Sequence, residues 1–325
     1  MAVYTHLNTE DMAQLIDAYP VGELISAKGI AEGVSNSNWL IETAGAQDGA
    51  NRFILTMYER RIELSDLPYF LGLLDHLSAK GCPVPRTIHD LDGASFRMVK
   101  DKAVALIEFL PGVSPTQPDA DQAFALGETL ARLHQAGADF PMHRTNTMGF
   151  AQNLALLEQC GQAGLASINP ELPAILEHAR NAAALDLSGL PQAQIHADLF
   201  PDNVLMLGKR VTGLIDFYFA CTGAMSLDLA VTHAAWCFDP ETNCYDASCG
   251  NALINGYESV RKLTGDERAA LPEIAKGAAI RFVASRAEDW LDTPNDALVT
   301  RKDPMQFVPR WHFYDEQGAE LFAQN

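Results

Sequence analysis

The chain has 325 residues, 48% of them hydrophobic and 20% charged, with a formal net charge of -19. This length supports a large core and two lobes or domains, and the composition is that of an ordinary soluble globular protein. The acidic excess argues against a nucleic-acid partner, because neutralising phosphates takes Lys and Arg in surplus.

Met1–Pro20 has no basic stretch ahead of an apolar core, so no signal peptide is predicted. No apolar run is long enough to cross a bilayer, and the expected location is the cytoplasm. The six cysteines form no CxxC pair and match no common zinc spacing, so they are read as reduced thiols.

In chain order, Asp11–Tyr19 predicts a helix with Thr9 as its N-cap. The runs "WLIET" and "RFILTMYE", joined by the polar "AGAQDGAN", predict a hairpin. Leu64–Lys80 carries Leu67, Phe70, Leu71, Leu74 and Leu77 at helical spacing and ends at Gly81, with "PVP" beyond. "SFRMV" and "AVALIEFL" read as two further strands. "LPG" at Leu110–Gly112 then breaks the pattern, and Asp119–Gln135 opens a mostly helical remainder. The exception is Gln194–Phe219, which holds short apolar strands around "LGKR". The expected division is a first lobe at 1–107, a hinge at 108–113 and a second lobe at 114–325.

Within that exception lies "IHADLFPDN", followed by "LIDF". Phosphoryl transfer needs a group to orient a hydroxyl nucleophile and hard oxygen ligands for a metal that neutralises phosphate charge. Asp198, Asn203 and Asp216 supply that inventory. "VLML" leaves as a strand, "GKR" turns, and "VTGLI" returns toward Asp216. An isolated Asp–Asn pair is an ordinary loop bonded to its own backbone; the complete string is far rarer.

"HADLFPDN" with "LIDF" resembles the motifs of the protein-kinase-like superfamily, most closely its aminoglycoside phosphotransferase and choline kinase branch. The resemblance implies an α+β, two-lobed fold, with a small antiparallel-sheet lobe, a larger helical lobe and ATP between them. It makes Asp198 the catalytic base, Asn203 and Asp216 the Mg2+ ligands, and His196 a structural residue. "ALIEFLPG" resembles the strand whose backbone at Glu108, Phe109 and Leu110 binds adenine. "LGETLARLHQAG" resembles the helix that follows, with His134 read as a packing residue. "KGIAEGVSNSNWLIET" resembles the nucleotide loop, with Ser35, Asn36, Ser37 and Asn38 as donors to phosphate oxygens. One departure is that Thr56 stands where the family carries a strand lysine; Arg60 and Arg61 lie just beyond it.

Together with "IDFYFACT", "LDLAVTHAAWCFD" and "RFVASRAEDWL", these stretches resemble the homoserine kinases of the aminoglycoside-phosphotransferase-like type. That likeness implies L-homoserine as substrate, O-phospho-L-homoserine as product and a place in threonine synthesis. Arg281 and Arg286 are candidates for the substrate carboxylate. They point about 140° apart on a helix, and Arg281 is the choice. Asp202 is a candidate for the ammonium and Trp236, with Tyr257, for the pocket wall. Two other readings stay open. One is an aminoglycoside or choline-type kinase, for which Glu288, Asp289, Asp292 and Asp296 supply acids. The other is a nucleotide-binding regulator without turnover, which only Thr56 favours.

Overall fold

The computed structural model describes residues 7–30, 36–45, 51–59, 63–293 and 301–323. Contacts divide the chain into two units, one of residues 1–112 with 212–218 and the other of 113–211 with 219–325. Thr212–Tyr218, expected in the second lobe, therefore cluster with the first unit. Leu214 donates its N–H to the Pro83 carbonyl at 2.7 Å.

The first unit opens with α1 (Thr9–Ile16), β1 (Glu23–Ile30), β2 (Asn36–Ala44) and β3 (Arg52–Tyr58). It continues with α2 (Leu67–Ala79), β4 (Thr87–Ile88), β5 (Arg97–Val99) and β6 (Lys102–Glu108). The N-cap of α1 is Asn8, not Thr9: its side chain accepts the Asp11 N–H at 2.8 Å, and Thr9 is already helical. The predicted hairpin is β2–β3, and every strand pairing in this sheet is antiparallel, in the order β1-β2-β3-β6-β4 with β5 on β6. α2 stops at Gly81, whose φ of 81° suits glycine, and the Cys82 N–H turns back to the Leu77 carbonyl. One face of the sheet buries Trp39, Ile41, Phe53, Leu55 and Leu106 against α1 residues such as Met12 and Ile16.

The remainder comprises α3 (Ala120–Gly137), α4 (Phe150–Ile168), α5 (Ile175–Ala183), β7 (Gln192–Ile195), β8 (Val204–Leu207) and β9 (Arg210–Leu214). After these come β10 (Cys221–Ala224), α6 (Met225–Trp236), α7 (Ala247–Val260), α8 (Gly265–Asp292) and α9 (Val308–Ala323). α3 starts where Asp119 and Gln122 form a reciprocal capping box. α3 and α7 touch backbone to backbone, because a Cβ on Gly127 would meet the Leu253 carbonyl at 2.1 Å and one on Gly256 the Phe124 carbonyl at 2.1 Å. That approach sets Tyr257 of α7 against His134 of α3, with 2.8 Å between the hydroxyl and Nδ1. A Thr264–Glu267 capping box starts α8, and Gly277 lets it lie on the Phe150 ring of α4. Among the described residues no helix is long and apolar enough to cross a membrane.

Candidate active site

β7 pairs antiparallel with β10 and delivers the chain into the loop His196–Asn203. Ala197 has φ 63°, an unusual backbone for a residue with a Cβ, and such a conformation persists only where the surroundings fix it. Asp228, fully buried near the start of α6, does so. Its carboxylate accepts the N–H groups of His196 and Ala197, both at 2.7 Å, and faces His134 Nε2 at 3.0 Å. Burial works against ionising Asp228, but the His134 hydrogen bond, the His134 and His196 charges and the His196 N–H outweigh it, holding the carboxyl below its ordinary value.

Further bonds close the loop. The Asp198 N–H donates to His196 Nδ1 at 3.2 Å. Asn203 Nδ2 donates to the Asp198 carbonyl at 2.8 Å, and the Trp236 indole N–H to the Leu199 carbonyl at 3.1 Å. Trp236 is buried, so it braces this loop from beneath rather than lining an open pocket. Tyr257 is likewise interior. Asp202 is exposed on the turn Pro201–Asn203.

Arg281, expected to hold substrate, is instead committed to the loop. It is 4% exposed; its Nη1 donates to the Ala197 carbonyl, and its Nη2 lies 3.5 Å from Asp198 Oδ1. Asp198 keeps 20% side-chain exposure. Burial raises its carboxyl above the ordinary value, Arg281, His196 and Lys302 oppose the rise, and Asp202 adds to it. Among the described residues Oδ2 of Asp198 receives no hydrogen bond.

In the first unit, Asp216 follows β9, exposed and at φ 65°. With Tyr58, Phe70 and Tyr218 it borders a small cavity of about 30 Å³. Tyr218 packs edge-on to both Tyr58 and Phe70. Ser35 lies outside the described residues, as do Arg60, Arg61 and Asp296. Asn36, Ser37 and Asn38 belong to β2 rather than to a loop. The Ser37 hydroxyl donates to Glu59 at 2.7 Å and Asn38 Oδ1 accepts from the Thr56 hydroxyl at 2.8 Å, so both side chains already have partners, while Asn36 Oδ1 is buried with none among the described residues. Thr56 thus fills a neutral hydrogen-bonded position. Among the described residues, Lys102 of β6 is a cation of this sheet, and it is paired with Glu59. In the expected adenine-binding stretch, the Glu108 N–H is engaged by the Arg86 carbonyl at 3.0 Å; Phe109 and Leu110 continue beyond β6.

Sequence reasoning missed Asp228. The signal was there: every residue of α6 is buried, and an acid inside so apolar a run has to be paired.

A kinase-like phosphotransferase is the class these features define. The model of the phosphotransferase enzyme family matches residues 26–263. A solved structure of amicoumacin kinase hAmiN in complex with AMP-PNP, Ca2+ and Ami shares the fold, with a TM-score of 0.70 at 14% identity over 95% of this chain and 94% of that one. The homoserine kinase of Gluconobacter oxydans (strain 621H) is 46% identical over 95% of this chain and 97% of its own length. That of Acidiphilium cryptum (strain JF-5) is 42% identical over 98% of both chains. The chain belongs to the phosphotransferase enzyme family, in the branch of the homoserine kinases.

Proposed function

We propose that this chain transfers the γ-phosphoryl group of ATP to the side-chain hydroxyl of L-homoserine. The observation that carries this reading is Asp198: a carboxylate beside Arg281 on a loop held by Asp228, with one oxygen open among the described residues, in a chain so similar to homoserine kinases. The substrate hydroxyl donates its hydrogen bond to Asp198. Its oxygen forms the new O–P bond, the bond from the γ-phosphorus to ADP breaks, and the hydroxyl proton passes to Asp198. The product is O-phospho-L-homoserine, which fits an enzyme of threonine synthesis in the cytoplasm. Positioning and charge neutralisation supply most of the acceleration, since Asp198 is a weak base.

The donor set suits Mg2+, a hard cation that takes oxygen ligands. Asn203 spends its Nδ2 on the Asp198 carbonyl, which leaves Oδ1 as its metal-binding atom. Asp216 supplies an exposed carboxylate. When bound, the ion neutralises charge on the phosphates. The adenine reading rests on the backbone of Phe109 and Leu110, because the Glu108 N–H is taken.

A coupled ADP-release assay with Mg-ATP and L-homoserine, D-homoserine, L-serine, choline and kanamycin tests the substrate. Turnover of L-homoserine well above the rest is expected. Preferential turnover of kanamycin or choline contradicts the substrate and keeps the chemistry. Absence of turnover with all of them favours a nucleotide-binding regulator.

A further inference from the structure

Three arginines of the second unit are less than one-tenth exposed: Arg281, Arg286 and Arg310. Arg281 has Asp198 as counter-charge. Among the described residues the other two have only neutral acceptors. Arg286 Nη1 donates to the Asp303 carbonyl at 3.0 Å and to Gln306 Oε1 at 2.6 Å. Arg310 donates to the Ala234 carbonyl at 2.5 Å and to Asn243 Oδ1 at 3.4 Å, and among the described residues its Nε has no partner. Among the described residues neither forms an ion pair, in a chain with 42 carboxylate side chains to choose from. Burying a guanidinium without an anion is costly.

Both arginines reach residues that border one polar, open pocket of about 370 Å³, lined by Pro240, Asn243, Asp303, Met305 and Gln306. Aromatic rings link the Asp198 loop to Phe307, the residue after the lining residue Gln306. Phe200, two residues after Asp198, packs on Phe282 at 4.8 Å, and Phe282 packs on Phe307 at 4.8 Å. Arg281 lies over Phe282 at 5.0 Å, and Arg286 over Phe307 at 4.6 Å. Five helical residues separate the two arginines by about 7.5 Å along α8. A four-carbon hydroxy amino acid spans roughly 5 Å from hydroxyl oxygen to carboxyl carbon when extended. Phe200 of the Asp198 loop also packs on Phe307 at 6.1 Å, the ring over which Arg286 lies, and the charge of Asp198 acts on Arg286.

We infer that Arg286 binds the carboxylate of the amino-acid substrate, which takes the place of Gln306 Oε1 on its guanidinium. This rests on the homoserine reading above. A carboxylate matches the planar fork of the guanidinium and replaces a neutral acceptor with a charged one. Asp303 borders the same pocket; its carboxylate caps the Met305 N–H at 2.8 Å and suits an ammonium beside the bound carboxylate. Arg281, the stronger candidate from sequence, is spent on holding Asp198.

The test is steady-state kinetics of Arg286→Gln and Gln306→Glu with L-homoserine, using 3-amino-1-propanol, which is homoserine without its carboxylate, as a competitor. Arg286→Gln is expected to raise the KM for homoserine about 100-fold with kcat little changed, and to leave the inhibition constant of 3-amino-1-propanol where it was. Gln306→Glu places an internal carboxylate against Arg286 and is expected to weaken homoserine alone, by about tenfold. Equal weakening of both compounds in both variants, or an unchanged KM for homoserine, overturns the role of Arg286 and leaves the substrate reading intact. A wild-type protein that does not phosphorylate homoserine overturns the substrate reading and this inference with it.

Discussion

Arg281 acts on Asp198 in two ways. Through the Ala197 carbonyl it helps to hold a left-handed residue, and through its charge it keeps a buried carboxyl more acidic than burial alone would allow. Catalysis needs Asp198 ionised, and its folded pKa is raised above 3.8, so the acid limb of kcat/KM is predicted to lie above the ordinary carboxylate value. Arg281→Met removes the largest influence pulling that pKa down. The limb should therefore move to higher pH, in addition to any fall in kcat. A pH–rate profile of the variant with an unmoved limb contradicts this role. The sequence brought Arg281 forward by residue type alone. Which oxygen a long, flexible guanidinium serves is decided by the elements around it, and those lie 83 residues away in the chain.

The loop is held at the scale of elements. β7, β10 and α6 meet at Asp228, whose carboxylate serves two backbone N–H groups and His134. Asp228→Asn keeps the shape but turns one acceptor into a donor facing N–H groups. It is expected to cost about 3–5 kcal/mol at neutral pH, measured by urea unfolding. Asp228 has a lowered folded pKa, so its contribution is complete above the ordinary value of 3.8 and is lost as pH falls through the lower folded one. The gap between wild type and variant should close in that acidic window; a gap that persists there contradicts the ionised role. The end of α2, the start of α3 and the existence of the β2–β3 hairpin were legible because apolar periodicity and caps mark them. The start of β2 was not. Asn36, Ser37 and Asn38 have the look of a turn, yet their pairing with Tyr58, Met57 and Thr56 draws them into the sheet. Cross-strand partners outweigh the weak strand preference of asparagine and serine.

For the whole molecule, the motif string around Asp198 and the change from strands to helices near residue 110 gave the fold class. What they did not give are arrangements assembled from distant segments. Thr212–Tyr218 cluster with a unit that otherwise ends at Gly112. The surroundings of Arg286 come from residues 240–243 and 303–306, with no local pattern to join them. The role of Asp216 as a metal ligand is a proposal to be tested in the whole enzyme. Asp216→Asn is expected to raise the Mg2+ concentration for half-maximal turnover by more than about tenfold. A Mg2+ titration of that variant matching wild type contradicts the assignment. The central claim is that Asp198 serves chemistry rather than nucleotide binding, and the most direct measurement is kcat for L-homoserine beside calorimetric ATP affinity, both on Asp198→Ala. The predicted result is a fall in kcat of about 10²–10⁴-fold with ATP affinity nearly unchanged. Turnover that survives the substitution, or ATP affinity that disappears with it, contradicts the account.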